Sequence, residues 1–449
     1  MTAAREQPYE ARPLVVSTGA SQAIRVERTL DARRVRLGPS AVVEVLERKS
    51  YRVREVVPAS IRSAEDGLVS IEFRHTPREP GEYLIHVGAD GRRWPAPSAL
   101  ELSFFALPQE LASCRPFKGD MHMHTYHSDG MQSPLVMAAR CRQIGLDFAA
   151  ITDHRFYRSS VEAMERSREL GFQILMIPGE ECNYCIGLGH VLSYGAGESV
   201  SDRLLAGSPF GTWTSVDNAE SLDRLVDHAY GQVRDEIAGV ELPPQVDRRV
   251  YAFYHWVTRE VHRAGGIAVA AHPYWVSQRV VDLFSPVYEQ VLRHRLVDGI
   301  ELFGEVEFED NVLSLARYTE EARAGRSIPI WGNSDTHDMH FPLFGKAFTV
   351  AFAPRLDPPA VLGAIRSGRA TACLGVGDGN TVVAGPPLLV EYTNFLLRTW
   401  FPVHDRLCAI AGGLYGMEAR GLAVDLGLKE RLHREMDELR ARCFLAEQG

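Results

Sequence analysis

Two textures divide the chain. From about residue 12 to 107, short stretches such as AVVEVLE, LVSIEFR and EYLIHVG partly alternate apolar with polar positions, and the turn-forming EDG, REPGE and ADGRR punctuate them. Alternation at period two places every second side chain on one face, which predicts the strands of a small β-sandwich. From Phe117 to about 375, short apolar runs instead alternate with helical patterns. DFAAI precedes SSVEAMERSREL, GIAVAA follows RVYAFYHWVTREVHRA, and DGIELF and IPIWG bracket NVLSLARYTEEARA. Repeated βα units of this kind predict a parallel sheet or barrel. Ser159 or Ser160 is placed to cap one helix and Gly171 to stop it.

Residues from about 198 to 249 read as a helical insertion, with polar loops around one helix. After AIRSGRATACLGVGDG the pattern turns helical again. The final LKERLHREMDELRARCFLAEQ repeats Leu428, Leu432, Met436, Leu439 and Cys443 on one face, and its expected role is packing against the barrel. Three segments result: 1–112 as a β-sandwich-like domain, 113–375 as the α/β domain, and 376–449 as a helical C-terminal extension. No repeat of 20–50 residues is evident.

Composition narrows the class. A chain of 449 residues with 45% hydrophobic and 24% charged content is that of a multi-domain globular protein. A net charge of −9 argues against a nucleic-acid or anionic-membrane partner, while leaving room for a local basic pocket. MTAAREQPYE lacks the apolar core of a signal peptide, and no run approaches a membrane span. Seven scattered cysteines read as reduced thiols, so the expected compartment is the cytoplasm. Cys182 and Cys185 form one CxxC with no second pair to complete a zinc site.

The chemistry is concentrated where apolar runs end. In DMHMHTYHSDG, His122 and His124 are two apart, so a strand points both imidazoles to one face. Asp129, in the following loop, can swing back as a carboxylate ligand. DFAAITDHR places Asp153 and His154 past an apolar run, and ILMIPGEE does the same with Glu180 and Glu181. GGIAVAAHPYW ends in His272, and IPIWGNSDTHD in Asp335 and His337. His190 is the exception, because in GHVLSYG it precedes its strand. One HxH is weak evidence, but six histidines with several carboxylates after apolar runs predict a metal site. Imidazole with carboxylate and no thiolate set suits Zn²⁺, Mn²⁺ or Fe²⁺. Nine donors exceed the four of a structural zinc and imply two or three divalent metals.

These motifs resemble those of the PHP (polymerase and histidinol phosphatase) family of metal-dependent hydrolases, over about 117–375. DMHMHTYHSDG, ITDHR, PGEE with GH, AAHP and NSDTH occur in the family's order, and PGEE, GH and AIRSGRA look most like its CehA/McbA-like branch. The resemblance implies a distorted (β/α)7 barrel and a trinuclear metal centre. Its ligands would be His122, His124, Asp129, His154, Glu181, His190, His272, Asp335 and His337, with Glu181 bridging two metals. Asp120 and Asp153 would then orient imidazoles.

The resulting expectation is a hydrolase that attacks with a metal-bridging hydroxide. Its first substrate class is a small phosphomonoester or phosphodiester; the second is a carboxylic ester, amide or carbamate; the third reading is a non-catalytic, metal-stabilised binding module. Asp335 or a nearby histidine such as His337 would pass a proton, and Arg155 would bind phosphate. His127, Lys118, Tyr157, His340 and Lys346 are weaker substrate contacts. Several arginines near the site would favour phosphate, whereas walls of Trp213, Tyr274 or Trp275 would favour an aryl acyl substrate. The expected partner is a small anionic molecule, with no nucleic acid or membrane, in a chain that forms a homo-oligomer.

Overall fold

A computed structural model describes residues 9–28, 41–49, 54–63, 69–88, 93, 100–182, 188–206, 219–277, 280–281 and 285–444. Cys185 and Trp213 lie outside these residues. The chain forms two compact units, one of residues 1–115, 387–404 and 426–449, the other of 116–386 and 405–425.

In the first unit, alternating strands build two sheets. One orders Tyr9–Arg12, Gln22–Arg28, Val69–His75 and Ala59–Ser63; the other orders Val15–Ser17, Leu100–Leu107, Gly81–Gly88, Val42–Glu47 and Arg54–Val56. Their inward residues, among them Ile24, Phe73, Val45, Ile85 and Phe104, share one core. Apolar side chains from two sheets meeting in one core make a sandwich. The helices Pro387–Thr399 and Leu426–Cys443 belong to this same unit. Leu432, Met436, Leu439 and Cys443 are the buried stripe of the last helix, and the Leu14 N–H donates to the Cys443 carbonyl at 2.8 Å. The C-terminal segment is therefore not one separate extension. Its helices are divided between the two units, and the last helix sits with the sandwich rather than with the α/β unit.

The second unit is mixed α/β, with two principal sheets. The first orders Leu175–Met176, Phe148–Ala149, Arg115–Asp120, Ala347–Ala353, Ala370–Gly377 and Asn380–Ala384. The second orders Gly179–Cys182, Val191–Tyr194, Ile267–Ala270, Gly299–Phe303 and Ile330–Gly332. Phe117, Met121, Phe148, Leu192, Val269 and Trp331 from both sheets share a core. No closed (β/α)7 barrel occurs among the described residues: the principal strands form two separate sheets, and Val191–Tyr194 and the last strands of the first sheet run antiparallel to their neighbours. Isolated parallel bridges stitch the two sheets together, Met123 with Thr336 just past their strands and His154 with Glu181 of Gly179–Cys182.

Local chemistry sets the helix ends. Ser133 and Asp357 accept the N–H groups of Val136 and Ala360 ahead of Pro134–Gln143 and Pro358–Arg366, each with proline in its first turn. Neither Ser159 nor Ser160 caps Arg158–Glu169. Both hydroxyls lie inside the helix and donate back to the carbonyls of Phe156 and Tyr157. Gly171, at φ 63°, does follow its end, in the left-handed region that glycine adopts without penalty. Within the expected insertion, Val200–Ala206 and Ala219–Val233 are helical.

Candidate metal centre

The site is built where the stitched strands end. The strand Arg115–Asp120 runs into His122 and His124, both fully buried. The loop after them turns back sharply: the N–H groups of Ser128 and Gly130 both donate to the Thr125 carbonyl. A Cβ on Gly130 would stand 2.4 Å from the His124 backbone, so only glycine permits this close return. The return brings Asp129 back over the site. Its Oδ2 is 3.4 Å from both His154 Nε2 and His337 Nε2.

Glu181 is the centre of the arrangement. Its Oε2 lies 2.9 Å from His154 Nδ1, 3.2 Å from His122 Nε2 and 3.4 Å from His124 Nε2. Its Oε1 lies 2.6 Å from His190 Nδ1 and 3.2 Å from His272 Nε2. Asp335 closes the ring, with Oδ1 3.0 Å from His124 Nε2 and 3.2 Å from His122 Nε2. All nine donors named from the sequence thus converge. His190 reaches them because its strand is antiparallel: Val191 pairs with both Cys182 and Ala270, so the beginning of this strand lies beside the ends of its neighbours.

Three overlapping sets of donor atoms lie within 4.8 Å of one another: His124, Asp129, His154 and His337; His122, Glu181 and His272; and His122, His124 and Asp335. Donors on one cation, at bond lengths of roughly 2.0–2.2 Å, stand about 3.4 Å apart in a tetrahedron. These sets have that scale. His122 Nε2, His154 Nδ1 and Glu181 Oε2 are buried and make no hydrogen bond of normal geometry. Buried polar atoms left in this state are costly, and a cation shared among them removes the cost. The residues fit divalent metal ions.

The charges respond to this crowding. Burial pushes the Glu181 carboxyl upward, but His154, His122 and His190 outweigh it and hold the group well below the usual carboxylate range. Asp335 is likewise held low against its burial by His122 and His124. Burial opposes protonation of His154, yet Glu181 and Asp129 raise it to about 10. Each carboxylate is thus kept ionised, as a metal ligand must be.

Two sequence expectations fail in an instructive way. Asp120 and Asp153 touch no imidazole. Asp120 accepts the N–H groups of His122 and Ser334 and the Ser334 hydroxyl; burial pushes its carboxyl up to about 7. Asp153 accepts the Thr125 N–H and the hydroxyls of Thr125 and Ser128. Both fix the backbone that carries the histidines. The carboxylate that orients an imidazole is Glu301, which the sequence reading misses. It is buried in the middle of Gly299–Phe303, 2.9 Å from His122 Nδ1, and accepts from Asn333 Nδ2 at 2.7 Å and from the His272 N–H at 2.9 Å. The available signal was a glutamate interrupting the apolar run DGIELF.

The weaker candidates mostly have other work. Lys118 is buried against Asp405 at 2.6 Å, the Tyr157 hydroxyl donates to the Ala196 carbonyl at 2.6 Å, and His127 faces Glu162 at 3.3 Å. Tyr274 packs edge-on to Tyr288. His340 and Lys346 are exposed. Trp275 does flank the cluster, with ring centroids 5.3 Å from His272 and 6.0 Å from His190, and Phe341 lies 5.8 Å from His337. Arg155 directly follows His154 in a left-handed backbone conformation, φ 53°, and its N–H donates to the Glu181 carbonyl.

No protein-family model matches this sequence, and no curated protein matches it. Among solved structures, a two-domain protein from Bacteroides vulgatus, containing a predicted PHP-like metal-dependent phosphoesterase, is 19% identical. That likeness covers 63% of this chain and 70% of that one, with a TM-score of 0.44. A protein from Bifidobacterium adolescentis, provisionally named a metal-dependent phosphoesterase, is 22% identical over 50% of this chain and 89% of its own, with a TM-score of 0.32. An amidohydrolase from Chromobacterium violaceum, with sulfate bound and no metal, is 20% identical over 49% of this chain and 88% of its own, with a TM-score of 0.31. All three likenesses are remote and partial.

Proposed function

We propose that this chain is a metal-dependent hydrolase of small phosphate esters, of the PHP type and with the CehA/McbA-like motif pattern. The observation that supports it most is Glu181, whose two oxygens face two different groups of imidazoles. A carboxylate so placed can serve two cations at once, and the nine converging donors suit two or three. Mn²⁺, Zn²⁺ or Fe²⁺ suits this donor mixture. Bound there, such ions supply Lewis acidity towards a substrate oxygen and acidify water.

The protein's own groups prepare the site. Glu301 holds His122 through Nδ1 and so commits Nε2 to the cluster. His337 is fixed in the same way, its Nδ1–H donating to the Asp335 carbonyl at 2.9 Å, which leaves Nε2 towards Asp129. Asp129, His337 and Asp335 keep 54%, 30% and 22% of their side-chain surface exposed, unlike buried Glu181, so they are the donors a substrate meets first. His337, held towards its protonated form against its burial by Asp129 and Asp335, can hand a proton to a leaving group there, whereas ionised Asp335 can only accept one. Arg155, half-buried beside His154, is assigned to the substrate's non-bridging oxygens, where a guanidinium fork matches phosphate.

Trp275 and Phe341 favour a second reading, hydrolysis of an aryl ester, amide or carbamate, because they place aromatic surface against His190, His272 and His337. The two readings separate in one assay. The metal-loaded enzyme is expected to show a higher kcat/KM on phosphomonoesters and phosphodiesters than on carboxylic esters, amides and carbamates. Turnover of the carbonyl substrates with phosphate esters untouched would replace the first reading with the second. On the first reading the expected partner is a small anionic molecule in the cytoplasm, acted on by a homo-oligomer.

A further inference from the structure

We propose that the cleft lined by Val136, Arg140, Gln143, Met339, His340 and Arg420 is a second binding site, for a compact phosphate-bearing anion. None of its residues belongs to the donor cluster. Its volume of about 280 Å³ is several times the ~30 Å³ share of a water molecule, enough for a phosphate and a small organic remainder.

Three cationic or donor groups reach this cleft from three different elements. Arg140 comes from the helix Pro134–Gln143, His340 from the turn after His337, and Arg420 from the end of the helix Phe401–Glu418. Neighbours position the guanidiniums without neutralising them. Arg140 Nη1 donates to Gln143 Oε1 at 2.8 Å, and Arg420 Nη1 to the Gly416 carbonyl at 2.7 Å. Arg140 Nε is buried and has no hydrogen-bond partner. Among the described residues, neither arginine is in an ion pair. Some arginines of this unit are matched instead: Arg203 and Arg259 pair with Glu260, and Arg317 pairs with Glu321. The carboxylate of the same turn, Asp338, is engaged by the His340 N–H.

In a chain of net charge −9, a cleft holding two uncompensated guanidiniums and an exposed imidazole selects an anion. Donors arriving from three directions suit a tetrahedral phosphate better than a planar carboxylate, and each guanidinium offers a fork to its oxygens. Met339 and His340 lie two and three residues after His337, so the cleft shares a loop with the donor cluster. Two sources share this chemistry: the remote phosphate of a substrate that spans both places, or a separate phosphorylated effector.

The test is calorimetric titration of the EDTA-stripped full chain with inorganic phosphate, which excludes capture by bound metals. One phosphate per chain is expected, with affinity at least tenfold lower in the Arg140→Gln/Arg420→Gln double variant. Arg420→Gln alone, at an exposed position that leaves the fold intact, should also weaken binding. Absence of saturable binding, equal binding by the variants, or succinate binding as tightly as phosphate would each overturn the proposal. This arm needs no activity, so its failure is separate from failure of the hydrolase reading. With the loaded enzyme, competitive inhibition by phosphate that the double variant loses assigns the site to a substrate arm. Non-competitive inhibition lost in the same way assigns it to an effector.

Discussion

Each of the two units buries histidine against glutamate, but in different proportions. In the sandwich, His86 and Glu44 are 1% and 2% exposed, and His86 Nδ1 lies 3.3 Å from one Glu44 oxygen. In the α/β unit, Glu181 meets five imidazoles within 3.4 Å. In the sandwich one imidazole faces one carboxylate, at ion-pair distance though without a hydrogen bond of normal geometry at Nδ1, so the pair is matched one to one. One carboxylate cannot satisfy five, and even with Asp129, Asp335 and Glu301 beside it the six imidazoles outnumber the carboxylates, a surplus of buried donor atoms that fits a cation. Residue type is the same in both places; stoichiometry separates packing from chemistry.

The largest effect that would sharpen this contrast is expected at its centre. Glu181→Gln removes the shared carboxylate, and metal content and turnover should fall together by more than about 100-fold, beyond the usual cost of losing a group that only orients a ligand. His122→Ala and His337→Ala should behave alike. Retained metal with full activity in Glu181→Gln would break the comparison.

One step outwards, Glu301→Gln keeps its shape but loses the charge that faces His122. Metal affinity or kcat is expected to fall by about 10- to 100-fold. A metal titration indistinguishable from wild type would show that Glu301 only packs. Arg155→Ala should leave metal content unchanged while lowering kcat/KM on phosphate esters about tenfold, the worth of one charge-assisted hydrogen bond. A similar loss on neutral carbonyl substrates would show that Arg155 acts on the scaffold instead.

The smallest functional effect belongs to the sandwich. Glu44→Gln should leave metal content and turnover unaltered and cost about 1–3 kcal/mol of stability, through a buried imidazole deprived of its charged partner. Denaturant titration reads the loss. A drop in metal content would mean that the two kinds of pair are not different after all.

Much of this contrast is legible in the sequence, and the rest fails for identifiable reasons. The donors of DMHMH, TDH, PGEE, AAHP and NSDTH can be read because each follows an apolar run, and strand ends gather side chains. The partial alternation of LVSIEFR and EYLIHVG marks strands equally well. Glu301 escapes because a lone glutamate in a strand has no motif, and only its neighbours across the sheet, Asn333 and the His272 N–H, give it a role. Asp120 and Asp153 mislead in the opposite sense. Proximity in sequence to a histidine suggests an imidazole partner, but buried backbone N–H groups claim these carboxylates first. Strand direction is equally invisible to local patterns, so both the antiparallel strand behind His190 and the absence of a closed barrel emerge only from pairing.

The central claim, that one over-subscribed glutamate marks a metal centre, is tested most directly by elemental analysis of the purified full chain. After loading with Mn²⁺, Zn²⁺ or Fe²⁺ and removal of excess ion, two or three metals per chain are expected for the wild type, and fewer than half that number for Glu181→Gln. A folded wild-type chain that retains less than one metal with every ion, or a Glu181→Gln variant that retains the full complement, would contradict it.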